Sequence, residues 1–149
     1  MTSGTLEHVN VTVSSPQKTA ELLCRLFDWK IRWSGQSING GLTYHVGNED
    51  TYLAIYSVGS PTPPTIESYG MLNGLNHIGI VVPDIDETEQ RVVAEGFNPN
   101  SHGDYEPGKR FYFDDNDGVE FEIVSYTERA KTRKQFFKQL REILEVASR

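Results

Sequence analysis

The chain has 149 residues, 37% hydrophobic and 23% charged, which is enough apolar material to fold as one domain rather than remain disordered. The formal net charge of -7 opposes binding to phosphate backbones and anionic lipid, so we expect no nucleic-acid or membrane partner. A lone cysteine excludes an internal disulfide, and the sequence shows no signal-like or membrane-length apolar run, so we expect a cytoplasmic protein.

The first half of the sequence predicts a strand, a helix and three further strands. Residues 5–13 alternate between valines and polar side chains that include His8, as in a strand covered on one face. Ser15 and Pro16 suit the start of a helix over 16–27. Three extended runs follow, and turn residues that include Asn39 and Asn48 separate them. These runs cover residues 29–35, 41–47 and 52–56.

A linker rich in Gly, Ser, Pro and Thr covers residues 58–73, and the same order of elements then begins again. The second half predicts a strand over 75–82 and a helix over about 85–95 that Gly96 closes. A last helix is predicted over 127–148, with an apolar stripe between basic residues.

Spacing supports an internal duplication. His77 lies 69 positions after His8, and the stretch 42–57 aligns with 110–125 at a spacing of 68. That alignment matches four identical pairs. They are Tyr44 with Tyr112, Asn48 with Asn116, Ile55 with Ile123 and Ser57 with Ser125. The sequence therefore predicts a single α+β domain in which two βαβββ modules, 5–57 and 74–125, form a curved mixed sheet around a cavity, followed by the C-terminal helix.

Strand alternation predicts which side chains share a face. His8 lies on the polar face of its strand, and His77 lies on the corresponding face with Gly79 and Val81. On the last strand Glu120, Glu122 and Val124 point one way, and Phe121 and Ile123 point toward the helix. If the modules pair as the repeat indicates, His8, His77 and Glu122 converge. Two imidazoles and a carboxylate suit a divalent transition metal with open positions for substrate.

Three segments resemble the vicinal oxygen chelate superfamily, which includes glyoxalase I, extradiol dioxygenases, fosfomycin-resistance enzymes and bleomycin-binding proteins. They are residues 7–13, 76–86 and 111–123, and the likeness spans residues 5–125. The resemblance implies metal ligands at His8, His77 and Glu122, with Fe, Mn, Ni or Zn as the ion and Glu122 also serving as the catalytic base. The fourth ligand position of glyoxalase I falls on Ala54, which neither binds metal nor accepts a proton.

The same alternation places Tyr44, Tyr52, Tyr56 and Tyr112 on cavity faces, and with Arg110 they suggest a partly apolar ligand that carries an oxygen or carboxylate. We expect His45 on the helix-facing side or the surface.

Three candidate functions follow from this resemblance. The first is a glyoxalase-like metal enzyme of lyase or isomerase type that acts on a small oxygen-chelating substrate. The alternatives are a metal-free small-molecule binding protein of the bleomycin-resistance kind and a three-ligand enzyme of the dioxygenase or fosfomycin-resistance type. The resemblance and the apolar stripe of the last helix also predict a homodimer.

Overall fold

Two successive βαβββ units form the protein, and a long helix follows the second. The computed structural model describes residues 3–38 and 40–147, apart from the side chains of residues 129, 130 and 145. The chain divides into Met1–Leu75 (unit 1) and Asn76–Arg149 (unit 2). Asn39 of the predicted turn and residue 148 of the predicted last helix lie outside the described residues.

Unit 1 contains four strands and one helix in the predicted order. They are β1 (His8–Thr12), α1 (Pro16–Phe27), β2 (Lys30–Gln36), β3 (Leu42–Gly47) and β4 (Tyr52–Tyr56). The sheet order is β1-β4-β3-β2, with β1 parallel to β4 and the other pairs antiparallel. One 3-10 turn, Ser68–Gly70, interrupts the predicted linker.

Unit 2 repeats this plan and adds the last helix. Its elements are β5 (Ile78–Val81), α2 (Ile85–Ala94), β6 (Asn100–Tyr105), β7 (Gly108–Asp114), β8 (Glu120–Tyr126) and α3 (Glu128–Ala147). The sheet order is β5-β8-β7-β6, with β5 parallel to β8. Two mixed four-stranded sheets with three helices confirm the predicted α+β class. No helix of the described residues is long and apolar enough to cross a membrane.

Local sequence explains where the helices begin and end. Pro16 opens α1 after Ser15, although the Ser15 side chain makes no capping hydrogen bond. Asp84 caps α2, because its Oδ1 accepts a hydrogen bond from the Glu87 backbone N–H at 3.0 Å. Gly96 follows α2 with φ of 90°, a left-handed conformation that glycine adopts without strain.

Each sheet buries one face under its own helix. In unit 1 the strand residues of this face are Val11, Val46, Leu53 and Ile55, which pack with leucines of α1. In unit 2 they are Ile80, Phe111, Phe113, Phe121 and Ile123. The opposite face of each sheet, which we call the open face, carries the polar residues. Phe121 and Ile123 of β8 are buried as the predicted alternation requires, whereas Val124, on the open face, is buried as well.

The turns that close the last hairpin of each unit differ by one residue. Gly47 pairs with Tyr52 across a turn of four residues, 48–51. In unit 2, Asp114 pairs with Glu120 across five residues, 115–119, and Gly118 adopts a φ of 78° there. The spacing between β3 and β7 is therefore 67 and not 68, because the longer turn shifts β7 by one position.

The side chain that begins each turn has the same role. Asn48 Oδ1 accepts hydrogen bonds from two backbone N–H groups at 2.9 Å, and Asp115 Oδ1 also accepts two at 2.9 Å. Burial raises the pKa of the Asp115 carboxyl against the opposing effect of these hydrogen bonds. Asn48 thus corresponds to Asp115, which corrects the alignment of Asn48 with Asn116.

We expect Asp115→Asn to stabilise the protein near neutral pH, since the amide keeps the acceptor oxygen and removes a buried charge. A raised pKa means that the Asp115 contribution to stability is complete below the unfolded-state pKa and is lost as pH rises through the folded-state value. The advantage of Asn should therefore grow with pH. Asp115→Ala should lose about 1–3 kcal/mol, because two buried N–H groups lose their acceptor. Urea unfolding in acid and at neutral pH measures the stability of both variants. Equal losses of stability in Asp115→Asn and Asp115→Ala at neutral pH would contradict these predictions.

Candidate functional site

The open face of unit 2 gathers the predicted ligands of that unit. Gly79 pairs with Glu122 between the parallel strands, and Tyr112 pairs with Glu122 from the other side. His77 lies directly before β5, and its Nε2 is 3.2 Å from Glu122 Oε2. The sequence prediction that His77, Glu122 and Tyr112 share a face is consistent with this register. Gly79 lies beside the carboxylate, and a Cβ there would make an ordinary van der Waals contact with Glu122 Oε2 at 3.9 Å.

Two carboxylates contact the two nitrogens of the His77 ring. Glu122 Oε2 lies against Nε2, and Glu120 Oε1 is 3.7 Å from Nδ1. The contact at Nδ1 is longer than a hydrogen bond, and Nε2, next to Glu122, is the ring nitrogen that would bind a metal. The His77 side chain is 34% exposed, and that of Glu122 is 12% exposed, so the pair lies at the edge of solvent.

Arg110 provides the positive charge next to Glu122. Its Nη1 donates a hydrogen bond to Glu122 Oε1 at 2.9 Å, and both side chains are 12% exposed. The guanidinium carbon lies 4.2 Å from the centre of the Tyr105 ring, a cation–π contact that fixes the guanidinium plane. Arg110 Nε and Nη2 are buried and have no hydrogen-bond partner among the described residues.

Tyr112 completes this arrangement. Burial raises the pKa of its hydroxyl, and the hydrogen bond to Glu122 and the Glu122 charge raise it further, whereas a hydrogen bond from Arg110 lowers it. The ring of His77 meets that of Tyr112 edge to face at 5.8 Å between centroids. Glu122 is therefore surrounded by an imidazole, a guanidinium and a phenol.

The open face of unit 1 carries His8 beside a stack of rings. His8 Nδ1 is 2.9 Å from Glu7 Oε2, so Nε2 is again the nitrogen available to a metal. The His8 ring stacks on Tyr52 at 5.0 Å. Tyr52 also lies under the Arg32 guanidinium at 4.8 Å. Tyr56 occupies this face as well, because Thr12 pairs with Tyr56 in the same register as His8 with Tyr52.

The structure places His45 on the open face, and not on the helix-facing side that was one of its two predicted positions. His45 pairs with Ala54 and lies on the open face, where its ring stacks on Tyr52 at 4.5 Å and contacts Trp33 at 5.0 Å. Burial lowers the pKa of His45, and the nearby charges of His8 and Arg32 lower it further, so the imidazole is favoured in its neutral form. His45 and Trp33 are the open-face residues that the sequence analysis missed.

The prediction that Tyr44 lines the cavity face is wrong. Tyr44 pairs with Ile55, whose side chain is fully buried on the helix-facing side of the sheet. The error has one cause: the alignment at a spacing of 68 matched Tyr44 with Tyr112, but the register makes His45 the counterpart of Tyr112. One residue of slip transfers a strand's side chains to the other face.

Ala54 lies at the position of unit 1 that corresponds to Glu122 of unit 2. Asn10, two residues after His8, pairs with Ala54, just as Gly79, two residues after His77, pairs with Glu122. Within the described residues of either unit, no three His, Cys, Asp or Glu side chains are positioned to hold a metal ion. The donor types at His8, His77 and Glu122 nevertheless suit a divalent metal, because both imidazoles have a carboxylate at Nδ1.

Comparison with protein families gives one match. The model of the Glyoxalase/Bleomycin resistance protein/Dioxygenase superfamily matches residues 5–123. No curated protein matches the chain significantly.

Solved structures with the same fold come from several proteins. A glyoxylase/bleomycin resistance protein/dioxygenase domain from Frankia sp. EAN1pec has a TM-score of 0.69 at 18% identity, covering 85% of this chain and 100% of that one. The fosfomycin resistance protein FosX from Listeria monocytogenes, complexed with Mn(II) and sulfate, has a TM-score of 0.65 at 20% identity, covering 89% and 99%. TnmS3, an antibiotic binding protein from Streptomyces sp. CB03234, has a TM-score of 0.65 at 16% identity, covering 85% and 99%. At these identities the likeness concerns the fold alone.

Proposed function

The chain belongs to the glyoxalase/bleomycin resistance protein/dioxygenase superfamily, and from that membership we propose a divalent-metal-dependent enzyme of lyase or isomerase type. Its substrate would be a small molecule that chelates the metal through oxygen atoms. The observation that carries the proposal is the contact between His77 Nε2 and Glu122 Oε2 at 3.2 Å, with a second carboxylate facing Nδ1. FosX supports metal use in this fold, because it was crystallised with Mn(II).

The proposed ligands are those that the resemblance implies: His8, His77 and Glu122. When bound, the ion would polarise a substrate oxygen and stabilise the negative charge that develops there. Three ligands leave open positions for a substrate with two oxygen donors. The carboxylate that glyoxalase I has at the fourth position is replaced by Ala54, so one proton acceptor remains.

Glu122 is the proposed proton acceptor. Arg110 holds its Oε1, which leaves Oε2 to face His77 and the reacting group. Because Oε2 is also the oxygen that would bind the ion, Glu122 would leave its ligand position when Oε2 takes a proton. Tyr52, Tyr56 and Tyr112 are the proposed substrate-wall residues, together with Arg110, and the helix-facing position of Tyr44 removes it from this set.

A metal-free binding protein of the bleomycin-resistance kind is the second candidate. Two observations favour it: Arg110 already neutralises Glu122, and the rings of His8, Tyr52 and His45 stack on one open face, as a wall for a flat ligand would. TnmS3, an antibiotic binding protein, has the same fold.

Metal analysis of untagged protein separates these candidates. The enzyme proposal expects close to one divalent ion per chain after incubation with Mn²⁺, Fe²⁺, Ni²⁺ or Zn²⁺ and desalting. A content far below one ion per chain for every metal would reject it and favour the binding protein.

We also propose a cytoplasmic homodimer, as the sequence analysis predicts. Five apolar side chains of α3 are 41% to 65% exposed, and Val146 is 75% exposed, which is a larger exposed apolar surface than monomeric proteins usually have. The five are Phe136, Phe137, Leu140, Ile143 and Leu144. Sedimentation equilibrium should give twice the chain mass, and replacement of Leu140 and Leu144 by Glu should shift it to the monomer. A monomeric mass for the wild type at micromolar concentration would contradict this prediction.

A further inference from the structure

The buried guanidinium of Arg110 has one edge occupied and one edge without a partner. Nη1 donates to Glu122 Oε1. Nε and Nη2 are both buried and lack a hydrogen-bond partner among the described residues. These two nitrogens lie side by side on one edge of the guanidinium, and their N–H groups point in nearly parallel directions.

Leaving such donors unpaired is costly. An unsatisfied buried donor costs about 1–3 kcal/mol, and more when it belongs to a charged group. Most of the buried polar groups in folded proteins therefore have a partner. Two such donors on one side chain indicate a partner that the protein chain does not itself supply.

The surroundings hold this edge in place. The Tyr105 ring covers one face of the guanidinium at 4.2 Å, and Glu122 fixes Nη1 at 2.9 Å. Gly103, which pairs with Arg110 on β6, makes room for the contact, since a Cβ there would lie 2.6 Å from the Tyr105 ring and 3.4 Å from Arg110 Cγ. The Arg110 side chain is therefore held in place, whereas the groups that bury the Nε–Nη2 edge must move aside before a ligand can reach it.

We propose that the Nε–Nη2 edge of Arg110 binds an oxyanion of the substrate, a carboxylate or a phosphonate-like group, through two parallel hydrogen bonds. The fork of a guanidinium matches the spacing of two oxygens on such a group, and charge-assisted pairs of this kind are about twice as strong as neutral hydrogen bonds. A neutral amide or alcohol cannot offer two anionic oxygens to the same edge. The guanidinium then bridges two anions, Glu122 on one side and the substrate on the other.

This inference rests on the proposed function only in naming the oxyanion as part of the substrate. With Glu122 as proton acceptor, the oxyanion would be fixed next to the reacting group by the same side chain that orients the base. Binding of the oxyanion itself depends on unit 2 alone and can be measured without metal.

The test uses ¹⁵N-labelled full-length protein freed of metal with a chelator. Acetate, methylphosphonate and neutral acetamide are titrated at constant ionic strength, and the Nε–H resonance of Arg110 is followed. We expect a saturable shift with acetate or methylphosphonate and none with acetamide. The anion that shifts it at the lower concentration identifies a carboxylate or a phosphonate-like substrate.

Arg110→Lys keeps the charge and the Glu122 partner but removes the planar edge, so it should weaken anion binding about tenfold or more, read from backbone amide shifts around β7. Arg91→Lys is the matched control, because Arg91 also donates to a carboxylate, that of Glu87, at 2.6 Å on an exposed helix. An Arg110 resonance that shifts no more than that of Arg91, or an unchanged affinity in Arg110→Lys, would overturn the inference. Anion binding without metal binding would overturn only the proposed function.

Discussion

Replacing His77 by Ala is expected to lower the affinity for the divalent metal by about 100-fold or more, because a three-ligand site loses an imidazole. Metal content after desalting should fall from close to one ion per chain to a trace. Glu122 cannot compensate, since Arg110 holds one of its oxygens. Inductively coupled plasma mass spectrometry of untagged protein measures the content, and isothermal titration of the chelated protein measures the affinity.

His102→Ala is the matched control for this experiment. His102 also has a glutamate partner, since its Nε2 lies 2.8 Å from Glu89 Oε1. Its ring stacks on Phe111, whose side chain is buried on the helix-facing side of β7. Loss of a surface histidine should leave metal content unchanged. Equal metal content in wild type, His77→Ala and His102→Ala would reject His77 as a ligand.

Glu122→Ala is expected to destabilise the protein by about 3 kcal/mol, because it leaves the Arg110 guanidinium buried without its carboxylate. Both side chains are only 12% exposed, so water replaces the lost partner only in part. Urea unfolding of the metal-free protein measures this loss without any contribution from a bound ion.

Two further variants test the cause of this loss of stability. Replacing Arg110 and Glu122 together by leucine should recover most of it, since exchanging a buried ion pair for apolar side chains is often neutral. Glu87→Ala breaks the Arg91–Glu87 pair, whose side chains are 33% and 58% exposed, and should cost within about 1 kcal/mol. A Glu122→Ala loss as small as that of Glu87→Ala would show that Arg110 does not depend on Glu122.

Much of the fold could be predicted because local patterns determine it. Pro16 and Asp28 bound α1 where the apolar spacing begins and ends, and α1 was predicted over the same residues, 16–27. β4 was also predicted with its observed bounds, Tyr52–Tyr56. The alternation along β8 predicted that Glu122 faces away from its buried neighbours Phe121 and Ile123. This could be predicted because the two-residue period depends only on the strand itself.

Cross-strand contacts could not be predicted in the same way, because they depend on turn length. The alignment treated both hairpins as equal and therefore put Tyr44 on the wrong face and missed His45. The turns held the missing signal: Asn48 and Asp115 are both side-chain acceptors at the start of a hairpin turn, and their spacing is 67. Likewise, no sequence pattern indicates that the Nε and Nη2 donors of Arg110 are buried without a hydrogen-bond partner.

The extra residue in the second hairpin lies after Asp115, the counterpart of Asn48, so β3 and β7 keep matched faces at a spacing of 67. The open faces of the two sheets therefore differ through substitution at matched positions and not through a change of face. His45 of unit 1 stands where unit 2 has Tyr112, and Thr43 stands where unit 2 has Arg110. An imidazole and a hydroxyl take the place of a phenol and a guanidinium, so equivalent strands of the two units offer different polar groups to a ligand.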